Sequence, residues 1–121
     1  MKVLLLNGSP HAHGCVFTAL EEVAKTLEEN GVETEIFQIG NKPVRGCQAC
    51  PKCKRHGCNF DDDPVNEVFE KLCAADGFVV GSPVYYASAN GSVISLLDRL
   101  FYSGSKYFAH KPAAAVACAR R

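Results

Sequence analysis

The clearest indication of the fold comes from residues 3–16, Val3-Leu4-Leu5-Leu6-Asn7-Gly8-Ser9-Pro10-His11-Ala12-His13-Gly14-Cys15-Val16. Its first four residues are all apolar, which is typical of a strand buried on both faces. Small residues and a proline follow, and they predict a tight turn before a segment with helical periodicity. The first N–H groups of a helix have no partner inside the helix and attract anions. The stretch therefore predicts an anion site that needs no lysine.

Strands and helices alternate along the rest of the chain. Apolar residues recur every three or four positions over residues 14–30, which predicts an amphipathic helix that stops at Asn30-Gly31. Residues 32–39 alternate in polarity, as in a half-exposed strand at a sheet edge. We predict further helices from Pro64 and over residues 91–102, and further buried strands over residues 77–81 and 112–119. This order predicts right-handed crossovers and a parallel sheet covered on both faces.

The last predicted helix and strand carry two further expectations. In the helix we expect an inward-facing stripe of Val93, Ile94, Leu97, Leu100 and Phe101, and Asp98-Arg99 as a solvated or interface ion pair. The strand of small apolar residues belongs inside a sheet, yet only a few residues follow it. We therefore expect the 121 residues to form one domain that is the first part of a longer one, or to have this edge covered by a partner chain.

Composition narrows the class of protein. Lysine plus arginine and aspartate plus glutamate both number 13, so the zero net charge gives no support for a nucleic-acid partner. No apolar run is long enough to span a bilayer, and the first residues lack the length and cleavage site of a signal peptide. We expect a cytoplasmic protein with neither a nucleic-acid nor a membrane partner.

Four of the seven cysteines cluster in an aperiodic loop over residues 40–63, at Cys47, Cys50, Cys53 and Cys58. The odd cysteine count and the expected reducing compartment argue against a disulfide framework, and a loop this long indicates function or an organising metal. Bacterial ferredoxins use Cys-x2-Cys-x2-Cys for three ligands of a [4Fe–4S] cluster, and Cys58 could supply the fourth. A tetrahedral zinc ion, whose cysteine pairs usually stand further apart, and thiols without a metal are the alternatives.

Two motifs carry a resemblance to a known family. Gly8-Ser9-Pro10-His11-Ala12-His13-Gly14-Cys15 matches neither the Walker loop nor the dinucleotide fingerprint. It resembles the phosphate loop of flavodoxin-like NAD(P)H-dependent FMN reductases, commonly Gly-Ser-Pro-Arg-x-x-Gly-Asn-Thr. Residues 75–86, Ala-Asp-Gly-Phe-Val-Val-Gly-Ser-Pro-Val-Tyr-Tyr, resemble that family's third strand and flavin loop, and Leu97-Asp98-Arg99 resembles its next helix. The resemblance covers the whole chain and implies an α/β doubly wound parallel sheet of order 2-1-3-4-5, present here up to strand 4.

The resemblance also implies the cofactor site. Ser9 and the backbone of residues 11–16, which include His11, His13, Gly14, Cys15 and Val16, would hold the FMN phosphate. The family's Asn-Thr pair is Cys15-Val16 here, which removes a hydroxyl and an amide donor, and Thr18, His11 or His13 would be the substitutes. The isoalloxazine ring would lie against Pro83, Val84, Tyr85, Tyr86 and Ala87. Residues 119–121, with Arg120 at their centre, would approach it from the other side.

The implied activity is that of an FMN-dependent oxidoreductase that takes electrons from NADH or NADPH and needs no side chain as a nucleophile. The acceptor would be a small oxidant, a redox protein or the iron–sulfur cluster. The compact cysteine spacing resembles that of iron–sulfur flavoproteins, in which a cluster exchanges single electrons with FMN across a subunit interface, and this implies a homo-oligomer. The alternatives are a non-enzymatic flavin and iron–sulfur electron carrier, and a metal-binding or regulatory protein that has lost the flavin.

Overall fold

The structure is a computed structural model that describes residues 1–53 and 57–120. Its elements, in chain order, are β1 (Lys2–Asn7), α1 (Cys15–Glu29), β2 (Glu33–Gln38), α2 (Val65–Ala74), β3 (Gly77–Pro83), α3 (Gly91–Phe108) and β4 (Ala113–Cys118). The strands form one parallel sheet in the order β2-β1-β3-β4. The flavodoxin-like order and the edge position of β2 are therefore confirmed. Between β2 and α2, the described residues contain no helix or strand.

The apolar run of β1 is buried because helices cover both faces of the sheet. Leu4 and Leu6 face a core formed with α2 and α3, whereas Leu5 faces a second core formed with α1. This alternation is what a strand in the middle of a doubly covered sheet requires. Across the described ranges, no helix combines the length and the apolar character needed to cross a membrane.

The predicted burial of β4 and of part of α3 is wrong. Ile94 is 41% exposed and Phe101 39% exposed, and most of β4 is exposed as well. Within the described residues β4 pairs with β3 alone. The inward face of α3 is rotated relative to the prediction, and it contains Val93, Leu96, Arg99, Leu100, Gly104 and Phe108. An open apolar groove therefore runs between α3 and β4.

The prediction that Arg99 belongs to a solvated or interface ion pair is also wrong. Arg99 is 1% exposed and lies between α3 and the cysteine loop, whereas Asp98 is exposed. The Arg99 guanidinium pairs with the Asp63 carboxylate, and both side chains are almost fully buried. It also donates to the backbone oxygens of Arg45 at 3.1 Å and Phe60 at 3.0 Å. One buried cation thus ties three points of the loop to the helix.

The edge strand β2 is held by ion pairs in its first half. The Glu35 carboxylate lies 2.7 Å from the Lys2 ammonium and 2.5 Å from the Lys71 ammonium, which joins β2 to β1 and α2. The hydrogen bond from Lys2, followed by that from Lys71, keeps the pKa of Glu35 below its ordinary value. Charged side chains on an edge strand also discourage pairing with other chains.

Glu35→Gln is expected to change the pH dependence of stability. Because the pKa of Glu35 is lowered in the folded chain, its contribution is present above the unfolded value of about 4.3 and is lost as the pH falls through the folded value. The difference in urea midpoint between the parent chain and Glu35→Gln should therefore shrink as the pH is lowered from about 6 to about 3. Glu33→Gln is the control, since Glu33 is 73% exposed and 4.0 Å from Lys2. An equal, pH-independent difference in both variants would contradict this assignment.

Asp63→Asn and Asp62→Asn form a matched pair that tests the buried cation. Asp63 is the partner of buried Arg99, whereas Asp62 pairs with Arg45 at the surface. Removing one partner of a buried ion pair leaves an uncompensated charge, so Asp63→Asn should lower the free energy of unfolding by about 3–5 kcal/mol. Asp62→Asn should change it little, because exposed pairs are screened by solvent. Similar urea midpoints for the two variants would contradict the anchoring role of Arg99.

Candidate functional site

The candidate site lies at the carboxyl ends of β1 and β3, which pair so that Asn7 is opposite Gly81. The chain leaves β1 toward β2 on one side of the sheet, whereas β3 lies on its other side, so this is the topological switch point where doubly wound sheets bind ligands. The Gly8 amide donates to the Gly81 carbonyl at 2.8 Å. A Cβ on Gly8 would stand 2.1 Å from Cγ2 of Val93 and 2.6 Å from that carbonyl oxygen. Only glycine fits at this point.

Ser9 is held in place by two amide side chains. The Ser9 amide donates to Oδ1 of Asn7 at 3.1 Å, and Nε2 of Gln38 donates to the Ser9 carbonyl at 2.7 Å. The two amides join through Nδ2 of Asn7 and Oε1 of Gln38 at 2.6 Å. Oγ of Ser9 accepts the His11 amide at 3.1 Å, which leaves the hydroxyl hydrogen for a ligand. Asn7 and Gln38 were not predicted as site residues, because their only signal in the sequence is a polar residue at the end of each strand.

The first turn of α1 offers uncapped amides. Gly14 at the N-cap has no side chain to accept from them, and the first turn contains no acidic residue. In α3, by contrast, Oδ1 of Asn90 accepts the Ser92 amide at 3.1 Å. An anion can therefore take the place of the missing cap at α1.

The side chains of the predicted phosphate loop are arranged unequally. Val16 is 2% exposed and packs into the core, so only its backbone can face a ligand. Cys15, His11 and His13 are exposed, and the His13 ring contacts the Phe17 ring edge to face with 4.8 Å between centroids. The Thr18 hydroxyl donates to the Gly14 carbonyl at 3.3 Å, so its hydrogen is not free to replace the missing family donors. The backbone and Ser9 are left as the main donors.

The predicted ring site forms an open cleft. Val84, Tyr85 and Ala87 line it together with Ala119 and Arg120. The Val84 amide donates to the Cys118 carbonyl at 2.9 Å, which fixes the loop after β3 against β4. Pro83 is the last residue of β3, and Tyr86 is 93% exposed and does not line the cleft. Arg121, which was predicted beside them, lies outside the described residues.

The four clustered cysteines differ in environment. Cys58 is buried, and its sulfur accepts from Nε of Arg99 at 3.3 Å. Cys50 is half-buried, whereas Cys47 and Cys53 are exposed, and the Cys47 sulfur accepts the Ala49 amide at 3.4 Å. Loss of some hydration raises the pKa of the Cys53 thiol although the residue is exposed, and negative charge on the sulfurs of Cys58, Cys50 and Cys47 would raise it further.

Their arrangement is nevertheless open. In the part of the chain that the structure describes, no three histidine, cysteine, aspartate or glutamate side chains converge closely enough to hold a metal ion. The donor set fits a thiophilic centre by its chemistry, because it offers four sulfurs, two of which accept N–H groups.

Comparison with known proteins agrees with this geometry. The family model described as NADPH-dependent FMN reductase matches residues 1–121. An iron–sulfur flavoprotein of Methanosarcina thermophila is 37% identical over 114 residues, which cover 92% of this chain and 58% of that protein. An iron–sulfur flavoprotein of Methanocaldococcus jannaschii is 36% identical over 100 residues, which cover 82% of this chain and 51% of that protein. The chain thus spans about half the length of the curated relatives it matches.

A solved structure supports the fold. The NAD(P)H:quinone oxidoreductase from Methanothermobacter marburgensis superposes with a TM-score of 0.75 at 20% identity, covering 98% of this chain and 66% of that chain. Since the family model spans every residue and both flavoproteins exceed one-third identity over at least 82% of the chain, this chain belongs to the NADPH-dependent FMN reductase family.

Proposed function

We propose that this chain carries the FMN site of an oxidoreductase that takes electrons from NAD(P)H and passes them to a small acceptor or a redox protein. The observation that carries the proposal is that two candidate subsites, one for a phosphate and one for a ring, lie next to each other at the topological switch point of the sheet. The uncapped N-terminus of α1 and the cleft after β3 are joined there by the hydrogen bond from Gly8 to Gly81. Membership of the NADPH-dependent FMN reductase family supports FMN as the ligand that would bind to both subsites.

The phosphate subsite would act through backbone dipoles. The helix N-terminus carries about half a positive charge, which favours a phosphate even though the chain supplies no lysine at the loop. The hydroxyl of Ser9 and the amides of residues 12–16 would donate to the phosphate oxygens. Since Ser9 is 4% exposed and held by Asn7 and Gln38, its hydroxyl is preorganised before a ligand arrives.

The ring subsite would position the flavin and exclude water from one of its faces. The Val84 amide is already bonded to Cys118, so the amides of Tyr85, Tyr86 and Ala87 are the ones left for the polar edge of the ring. FMN held there would supply the chemistry of hydride transfer with a nicotinamide. The residues of the chain contribute orientation and hydrogen bonds, and none of them acts as a nucleophile in this proposal.

We further propose that Cys47, Cys50, Cys53 and Cys58 hold an iron–sulfur centre. The two relatives compared above are named iron–sulfur flavoproteins, and the donor set matches the chemistry of such a centre. Arg99 fixes Cys58 within the loop, and the three other thiols would close toward it when the centre is bound. Zinc bound by the same sulfurs and metal-free thiols are the competing occupancies.

The cysteine loop also favours a second candidate function, an electron carrier without NAD(P)H turnover. A chain that carries four thiols in one loop as well as a flavin site would suit single-electron exchange with a protein partner. The homo-oligomer implied by the resemblance stays a prediction.

Ser9→Ala tests the phosphate subsite. Removing a hydrogen bond to a charged phosphate should weaken FMN binding by about 10- to 100-fold, since such bonds contribute about 1.5–3 kcal/mol. Riboflavin, which lacks the phosphate, should bind both chains alike. Ser105→Ala, at an exposed serine in the last turns of α3, is the matched control. Quenching of flavin fluorescence measures both ligands, and failure of the parent chain to bind FMN would contradict the proposal.

Turnover separates the enzyme from the carrier. With FMN bound, the parent chain should oxidise NADPH or NADH in the presence of a quinone or a dye acceptor, and loss of nicotinamide absorbance reports the rate. Retention of FMN without nicotinamide oxidation would contradict the enzyme and favour the carrier.

Cys58→Ser tests the iron–sulfur centre. Protein purified without oxygen should contain iron and acid-labile sulfide, and Cys58→Ser should lose most of both because a ligand is gone. Cys73→Ser is the matched control, since Cys73 is an exposed cysteine on α2 outside the loop. Zinc without sulfide in the parent chain would exclude the iron–sulfur centre.

A further inference from the structure

Asn90 connects the phosphate loop to the loop that follows β3. Nδ2 of Asn90 donates to the Gly8 carbonyl at 2.9 Å, a contact between residues 82 positions apart in sequence. The backbone amide of Asn90 donates to Oγ of Ser82 at 2.9 Å, and Ser82 is the residue before the last position of β3. The same residue thus reaches both halves of the candidate site.

The hydrogen bond from Asn90 to Gly8 restrains the peptide group between Gly8 and Ser9. The Gly8 carbonyl belongs to the peptide that joins Gly8 to Ser9, and the N–H of that peptide donates to Oδ1 of Asn7. Asn90 therefore holds one side of the peptide from α3, while Asn7 holds the other side from β1. Rotation of this peptide would move the Ser9 hydroxyl, so Asn90 contributes to where that hydroxyl points.

The side chain of Asn90 has to donate and accept at once. Its Oδ1 caps α3 by accepting the Ser92 amide, while its Nδ2 reaches Gly8. Serine and aspartate also cap helices well. A serine hydroxyl is too short to make the second contact, however, and an ionised aspartate has no hydrogen to donate. Helix capping alone therefore does not require asparagine here, whereas the simultaneous hydrogen bond to the Gly8 carbonyl does.

We propose that Asn90 is a positioning residue that fixes the phosphate subsite relative to the ring subsite, so that one FMN molecule can bind both without reorganisation. This inference rests on the proposed FMN site and deepens it. A ligand that has both a phosphate and a ring binds more tightly when the two subsites are held rigidly at the correct spacing than when they move independently. Asn90 should consequently raise the preference for FMN over riboflavin and leave the affinity for riboflavin unchanged.

The test compares the FMN and riboflavin dissociation constants of the full chain and its variants by flavin fluorescence. Asn90→Ser retains the cap of α3 and the backbone contact with Ser82 but loses the contact with Gly8. We expect its preference for FMN over riboflavin to fall by about five- to tenfold, as for the loss of one hydrogen bond. Its riboflavin dissociation constant should stay within about twofold of the parent value, the scatter expected for an unaffected site.

Two more variants complete the design. Asn90→Asp keeps the shape and the cap but places a carboxylate oxygen against the Gly8 carbonyl, and it should lower the preference at least as much as Asn90→Ser. Ser92→Ala changes a side chain in the same turn of α3 and should leave the preference at the parent value. Thermal unfolding of each variant confirms that the ligands meet a folded chain.

The outcomes separate this inference from the proposed function. An unchanged preference in Asn90→Ser and Asn90→Asp, or a parallel loss of affinity for both ligands, would overturn the positioning role and leave Asn90 as a helix cap. A parent chain that binds no FMN would instead overturn the proposed function itself. A reduced preference with intact riboflavin binding supports both.

Discussion

The close approach of Gly8 to β3 and α3 is the constraint on which the candidate site depends. The Gly8 amide is bonded to the Gly81 carbonyl, and a side chain at this position would overlap Val93. The backbone after β1 therefore packs closely against the end of β3, and the loops that follow these two strands lie side by side. The uncapped end of α1 and the cleft after β3 are neighbours for this reason.

Helix α3 contacts both the phosphate loop and the cysteine loop. Asn90 at its start reaches the phosphate loop, and Arg99, nine positions later and about 13 Å along the axis, reaches Cys58 and Asp63. Both contacts are made by planar side chains with several fixed donors, which are suited to holding irregular backbone. A single rigid element thus positions the two places where the chain could carry redox chemistry.

Much of the fold follows from residue patterns. Local patterns indicate which faces of an element are buried. Examples are the apolar run of β1, the spacing of three and four residues in α1 and the alternation in β2. Helix α3 shows the limit, because its sequence is apolar on more than one side. The prediction therefore placed Ile94 and Phe101 in the core and left out Leu96, and it placed Arg99 in a solvated or interface ion pair. Only the position of the cysteine loop reveals that Arg99 faces inward.

In the candidate site, too, the local motifs could be predicted from the sequence, whereas the contacts between distant residues could not. Ser9, the turn to α1 and the loop after β3 could be predicted, since each lies within a short motif. The contacts that hold them are made by Gln38 and Asn90 across 29 and 82 positions, and no sequence period marks such pairs. Cys58 shows a mixed result, because its place in the cysteine pattern was visible but its burial against Arg99 was not.

An amide NMR titration of the isotopically labelled chain with FMN tests the proposed two-part FMN site most directly. Binding of the phosphate at the uncapped end of α1 predicts that the amide signals of Ser9 and of residues 12–16 shift together with those of residues 85–87, at a common dissociation constant. Shifts confined to other parts of the chain, or shifts of residues 85–87 without those of residues 12–16, would contradict it.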